Sequence, residues 1–313
     1  MKRNHLILLI GIMAVSLSAC SKEMPEPAYS NNASTINLPD KSPVFLTTSG
    51  EIRFEPISEA SGLVQSRLWP DVLWTHNDSG DEARIFPIHR DGSIIKPVWM
   101  KNYEGIRIPD AVNVDWEDIA ADDKGNLIIA DMGNNSNARR DLAVYFVSEP
   151  YPNETVVTSA RLKVQVFYPD QKTFPAEKRN YDCEGMFWAR GKLYFLTKHR
   201  SDKTTKLYRL DKLDPLEPVP LTLVSQFNIQ GMVTGADARR DGKEIAVLAY
   251  NAVWLFEAPN GSDDYFAGKI RWLPIKDERK FEAICYDEDD LLVACEEREI
   301  CKVPMEEFVI LRE

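Results

Sequence analysis

Apolar positions along this chain come in short runs, and the runs come in sets. Five of them read "VLWTH", "LIIAD", "LYFLT", "IAVLA" and "LLVAC", at 72–76, 127–131, 193–197, 245–249 and 291–295. Runs of that length, rich in aliphatic and aromatic residues and bounded by turn formers, predict buried strands rather than helices. A polar turn precedes four of them: "DDKGN" at 122–126, "ARGK" at 189–192, "RRDGKE" at 239–244 and "DEDD" at 287–290. An alternating strand follows each, as "RIFPIH", "AVYFVS", "KLYRLD", "AVWLFE" and "EICKVP". In places a further one comes after it, as in "ARLKVQVFY" and "GKIRWLP". No amphipathic helical period of useful length interrupts the series.

Ahead of the turns a second regularity appears. The units begin Ser61-Gly62-Leu63, Glu117-Asp118-Ile119, Glu184-Gly185-Met186, Thr234-Gly235-Ala236 and Glu282-Ala283-Ile284. They start roughly 50 to 65 residues apart, and four short strands per unit at such a period predict an all-β fold, a β-propeller. The count is five four-stranded blades, with six as the alternative. The last unit shows three strands, while an orphan strand, "PVFLTTSGEIRFEP" at 43–56, precedes the first. Residues near 44–56 are therefore expected to complete the last blade and close the ring, which removes exposed edges. The terminal "FVILRE" competes for that place.

Residues 1–43 stand apart from the repeat. Lys2 and Arg3 precede an apolar stretch, Leu6 to Val15, that is too short to remain in a bilayer. It ends in Leu17-Ser18-Ala19-Cys20, which resembles the lipobox of bacterial lipoprotein precursors. The resemblance implies a signal peptide over 1–19 and acyl chains (diacylglycerol and a palmitate-type amide) on Cys20. Two or three chains make a stable membrane anchor. Ser21 then favours the outer membrane, facing the periplasm, in a Gram-negative envelope. Residues 20–43 read as a lipidated flexible tether with a reach of about 25 Å, and 44–313 as the propeller.

Lys and Arg total 38 against 49 Asp and Glu, a net charge of −11. That balance argues against nucleic acid and against anionic lipid surfaces as partners. The four histidines show no His-x-His or His-x-x-x-His spacing, which argues against a zinc hydrolase. Nucleophile-elbow, Walker and dinucleotide fingerprints are absent as well.

Acids at strand starts carry the candidate chemistry. Carboxylates open apolar runs in Asp115-Trp116-Glu117-Asp118-Ile119, in Asp182-Cys183-Glu184-Gly185-Met186 and in Lys280-Phe281-Glu282-Ala283-Ile284. In a propeller the first strand of each blade lines the axis, so Ser61, Glu117, Glu184, Thr234 and Glu282 are expected at one level. Three glutamates in a confined channel cannot all stay ionised without a partner. A shared cation, a hydrogen-bond network and a proton-sharing cluster each answer that need. Oxygen ligands alone suit Ca²⁺, with Glu117, Glu184 and Glu282 as its ligands.

The second strand of each blade ends at the same mouth. His76, Asn77, Asp78, Asp131, Asn134, Lys198 and Glu296 thus join Ser61, Asp118, Thr234 and Asp237 as candidate ligand-binding residues. "HNDSGD" consists of turn formers yet opens on that mouth, and "NNSNARRD" reads as a solvated loop or as an anion clamp through Arg139 and Arg140. Cys183 beside Glu184 lacks a histidine partner, and no catalytic residue is assigned. A tight turn at Glu297-Arg298-Glu299 is expected to set Cys295 opposite Cys301, a candidate disulfide in an oxidising envelope. Cys183 and Cys285 read as buried thiols.

The segments "WTHNDSGD", "VDWEDIA", "IADMGNNSNARRDLAVYFVSEP", "VTGADARRDGKEIAVLAY" and "FEAI" look like a group of secreted bacterial propeller proteins of unassigned function. The resemblance covers most of residues 58–300. Met132 and Asn134 stand where that group more often reads "DIGDN", one charge fewer. More distantly, five blades with acids at inner strand starts are similar to calcium-activated nucleotidases. The expected function is a lipid-anchored cell-envelope propeller that binds a small molecule or a protein at an acidic channel mouth, with Ca²⁺. A calcium-dependent hydrolase of phosphate esters or sugar lactones is the alternative, and a purely structural envelope protein a third reading. Phosphate chemistry wants several cations, and the sequence offers Lys198 with Arg84, Arg139 and Arg140.

Overall fold

The computed structural model describes residues 33–313. The leader, Cys20 and the first part of the tether lie outside the described residues. The described chain forms a five-bladed β-propeller, each blade one sheet of four or five strands. The inner strands are Ala60–Gln65, Trp116–Ala121, Asp182–Ala189, Val233–Ala238 and Phe281–Asp287. Each pairs antiparallel with the strand after its turn and lies beside the inner strands of neighbouring blades around the axis. The described helical residues form two 3-10 turns, Tyr265–Ala267 and Met305–Glu307. None is long and apolar enough to cross a membrane.

Strands with both faces covered explain the unbroken apolar runs. Each blade packs on two neighbours, and the core divides into five hydrophobic clusters, one for each interface between blades. Trp74, Trp116 and Tyr145 fill the first interface, while Phe187, Tyr194 and Trp254 fill the third; all are almost fully buried. A polar tie crosses the first interface, where the Trp74 indole N–H donates to Glu149 Oε1 at 2.7 Å.

Closure follows the N-terminal strand. Thr47–Glu51 pairs antiparallel with Glu299–Val303 and completes the fifth blade. The competing C-terminal segment, Val309–Arg312, pairs instead with Lys269–Pro274 as a fifth strand on blade four. Upstream of the closing strand, Ser34 bridges to Phe227, and its N–H reaches the Gln226 carbonyl at 3.0 Å. Ile36 and Leu38 pack against the cluster between blades three and four. The expected tether thus docks on the ring from Ser34 onward, because those two side chains find an apolar ledge there.

The cysteine expectation needs correction. Val293 stands opposite Cys301 and Ala294 opposite Ile300, so the loop is Glu296 to Arg298, with Arg298 at a φ of 66°. Cys295 therefore faces the loop end and contacts the Glu299 carbonyl through Sγ. Cys183, Cys285, Cys295 and Cys301 are all free and buried.

Arg279 fastens the closing strand. Its guanidinium donates to Asp277, to Glu299 at 2.6 Å, to Thr48 Oγ1 at 2.9 Å and to the Leu46 carbonyl at 2.7 Å. Charge-assisted bonds of this kind contribute about 1.5 to 3 kcal/mol each when partners are left stranded. Arg279→Ala is expected to lower stability by about 2 to 3 kcal/mol, whereas Arg53→Ala, at an exposed ion pair, changes it by under about 0.5 kcal/mol. Equal effects of the two in denaturant unfolding would contradict closure through this strand.

Candidate functional site

In all five inner strands the ladder to the second strand slips by one residue. The slips fall between Ala60 and Gly62, Trp116 and Asp118, Cys183 and Gly185, Val233 and Gly235, and Phe281 and Ala283. The extra residues are Ser61, Glu117, Glu184, Thr234 and Glu282, the set aligned from the sequence. A bulge takes its extra residue out of the ladder and re-aims it. Equivalent bulges thus put one oxygen-bearing residue per blade at one level near the axis.

The next layer closes that axis. A methyl group added to Gly62 would stand 3.1 Å from the Cα of Asp118, and one added to Gly185 would stand 2.9 Å from Ala236 Cβ. Asp118 is fully buried in this layer. One carboxylate oxygen accepts the Ile119 N–H at 2.8 Å; the other accepts the N–H of Met186 at 2.7 Å and of Ala236 at 3.3 Å. Burial pushes its pKa well up against those donors. Asp118 is thereby a tie between blades two, three and four, not part of the mouth.

Above this layer lies a polar recess of about 170 Å³. Its walls carry acids from blades one, two, three and five, Tyr250 from blade four, and two cations, Lys198 and Arg200. Lys198 Nζ lies 2.9 Å from Glu184 Oε1 and donates to the Tyr250 hydroxyl at 3.2 Å. Tyr250 in turn donates to Glu282 Oε1 at 2.8 Å. Arg200 pairs with Asp182 at 2.9 Å, whose other oxygen accepts the Asn134 N–H at 2.6 Å. Burial works against the Lys198 ammonium, but Glu184 and Glu282 hold its pKa above the ordinary lysine value.

Two groups of carboxylates place oxygens within 4.8 Å of one another: Asp78, Asp115 and Glu117, and Glu117, Asp182 and Glu184. Glu282 belongs to neither; it accepts from the Tyr250 hydroxyl, to which Lys198 donates. Burial first, then Glu184, Asp78, Asp182 and Asp115, push the Glu117 carboxyl well above the usual range. Asp115 is pushed up to about 6 by burial, then by Asp78 and Asp182.

Among the other sequence candidates, Ser61, Asp78, Lys198 and Glu296 line the recess. His76 is buried beneath it, neutral, with burial lowering its pKa to about 4 and its ring edge-on to Trp116. Asn77 is a turn brace: its carbonyl accepts the N–H of Ser58 at 2.9 Å, and its amide donates to the Pro56 carbonyl. Asp131 is held by Arg139 and accepts the Asp115 N–H. The Asn134 side chain accepts the Arg139 N–H within its loop and donates to the Tyr181 carbonyl ahead of blade three, and Thr234 donates to the Phe281 carbonyl at 2.8 Å. Asp237 lines a second recess, of about 180 Å³, on the opposite face. Arg84 and Arg139 are engaged with Asp81 and Asp131, and Arg140 stacks on Phe174.

Asp115 and Asp182 open the acid-bearing runs but were not among the candidate ligands of the sequence, nor was Arg200. The first two carried a signal, because Asp115-x-Glu117 and Asp182-x-Glu184 repeat one Asp-x-Glu spacing at the same bulge. Arg200 had none, for its position depends on a loop after the second strand.

The sequence matches no family model and no curated protein. Among solved structures the chain is similar to the β-propeller domain of Cps50 (Swd1) from Myceliophthora thermophila, at 10% identity and a TM-score of 0.42, covering 83% of this chain and 100% of that one. It is similar also to a chain of a mitotic checkpoint complex (12%, TM-score 0.36, 80% and 61% covered). A third is a candidate 6-phosphogluconolactonase from Bacteroides uniformis (12%, TM-score 0.38, 80% and 83% covered). Likeness at this level says nothing of activity.

A raised carboxyl pKa means that the folded state holds a proton the unfolded chain would release. Stability from that source is fully present below the ordinary value of 3.8 and is lost as pH rises through about 6. Asp115→Asn cannot lose that proton. In chelator, its stability relative to wild type should rise between pH about 4 and about 6, measured by denaturant unfolding. A difference that stays flat across this window would show that Asp115 is not held in a proton-binding environment.

Proposed function

We propose that this protein is a lipid-anchored cell-envelope propeller that binds a small molecule or a protein partner at its acidic recess, with a divalent cation as part of the binding site. One observation carries the reading: Glu117 is 5% exposed, lines the recess, and has neither a hydrogen-bond donor nor a basic partner for its side chain among the described residues. An uncompensated buried carboxylate is costly, so it takes up a proton or a cation. Oxygen donors alone favour Ca²⁺ over softer metals. The anchor rests on the Leu17-Ser18-Ala19-Cys20 sequence, and Ser21 after it favours the periplasmic face of the outer membrane in a Gram-negative envelope.

Binding is preferred to hydrolysis because the cations near the recess are already committed. Lys198 and Arg200 are paired with Glu184 and Asp182, and the other arginines named from sequence lie in ion pairs or stacks elsewhere. A calcium-dependent hydrolase of phosphate esters or sugar lactones would need a cation free to meet developing negative charge. The net charge of −11 leaves nucleic acid an unfavoured partner.

Calcium at 100 times its Kd should stabilise the fold by about 2.7 kcal/mol by mass action, read as a rise in Tm that chelator reverses. A melting curve indifferent to calcium and chelator at neutral pH would remove the cation from this reading. The anchor has its own test: Cys20→Ala should leave the precursor unprocessed by the lipoprotein peptidase. A mutant processed and membrane-bound like wild type would refute lipidation at Cys20.

A further inference from the structure

We infer that the cation sits on Asp78, Asp115 and Glu117, at the junction of blades one and two, rather than among the three glutamates of the bulges. The inference deepens the proposed function and rests on it.

Compensation of charge decides the position. In the group of Glu117, Asp182 and Glu184, most of the negative charge is already answered. Both Asp182 oxygens have donors, from Asn134 and Arg200, and Glu184 faces Lys198 at 2.9 Å and Arg200 at 3.6 Å. In the group of Asp78, Asp115 and Glu117, the carboxylates receive a single hydrogen bond among the described residues, from the Ser79 N–H to Asp78. Those of Asp115 and Glu117 accept none. No described Lys or Arg forms an ion pair with any of the three.

Shape agrees with charge. The three oxygens lie within 4.8 Å of one another. Calcium–oxygen distances of about 2.3 to 2.6 Å let two ligands on one ion stand up to about 5 Å apart. Asp78 and Asp115 are partly exposed, whereas Glu117 is buried beneath them. An ion would therefore rest on Glu117 with an open side toward the recess, where a ligand oxygen or water completes its shell. Glu282 lies apart, on the Tyr250 and Lys198 side.

Calcium chloride titrated calorimetrically into the chelated full-length chain separates the two positions. Asp115→Asn and Asp78→Asn keep shape and remove one charge each, and both should weaken calcium binding by at least about 10-fold. Glu282→Gln should leave the affinity within about threefold of wild type, because Glu282 stands outside the group and accepts from the Tyr250 hydroxyl. Melting in chelator verifies that each variant is folded. An Asp115→Asn protein that is folded and binds like wild type overturns the inference, and so does loss of binding in Glu282→Gln; in both cases a calcium-binding recess still stands. Wild type that takes up no calcium overturns the inference together with the cation in the proposed function.

Discussion

Five inner strands converge on one axis and leave there almost no room for side chains, and this crowding governs the rest of the molecule. Gly62, Gly185, Gly235 and Ala283 answer it by being small, each directly after its bulge. Asp118 answers it differently, by accepting with both carboxylate oxygens from backbone N–H groups of its own strand and of blades three and four. Donors of that kind would be stranded in a dry interior without an acceptor. The axial layer closes the ring's middle and separates two recesses that a hollow channel would have joined.

Closure of the axis raises the stakes for the layer above it. Each bulge aims one residue at a space where ionisation is expensive, and the blades deal with it in separate ways. Ser61 and Thr234 are neutral and donate to the carbonyls of Glu117 and Phe281 in the following blade. Glu184 has Lys198, and Glu282 has Tyr250. Glu117 alone of the five has no partner for its side chain among the described residues. The asymmetry of a repeated fold is thus concentrated in one side chain, and function is sought where the repeat is broken.

The same economy explains why the recess is ill suited to capturing a large anion by charge alone. Its two cations are paired with Glu184 and Asp182, and the guanidiniums of Arg84 and Arg139 are held by Asp81 and Asp131 outside its walls.

Much of this was legible in the order of residues. A blade covered on both faces needs unbroken apolar strands, and five such strands with a matching acid or hydroxyl ahead of each were enough for the ring, its count and its level of oxygen-bearing residues. Closure by residues near 44–56 was legible too, as a strand without a partner. The bulges were not, since a one-residue slip is set by how the second strand pairs, yet they are why the aligned residues point together. Nor could the order of residues tell that Asp118 turns inward while Glu117 turns to the recess, that Asp237 opens on the opposite face, or that Val293 and not Cys295 faces Cys301. Partners distant along the chain decide such matters: Lys198 for Glu184, Tyr250 for Glu282, Met186 and Ala236 for Asp118. Residue order was enough to set Ser61, Glu117, Glu184, Thr234 and Glu282 at one level. Which of their charges were already answered was left to the folded ring, because that depends on the donors its closure brings within hydrogen-bond reach.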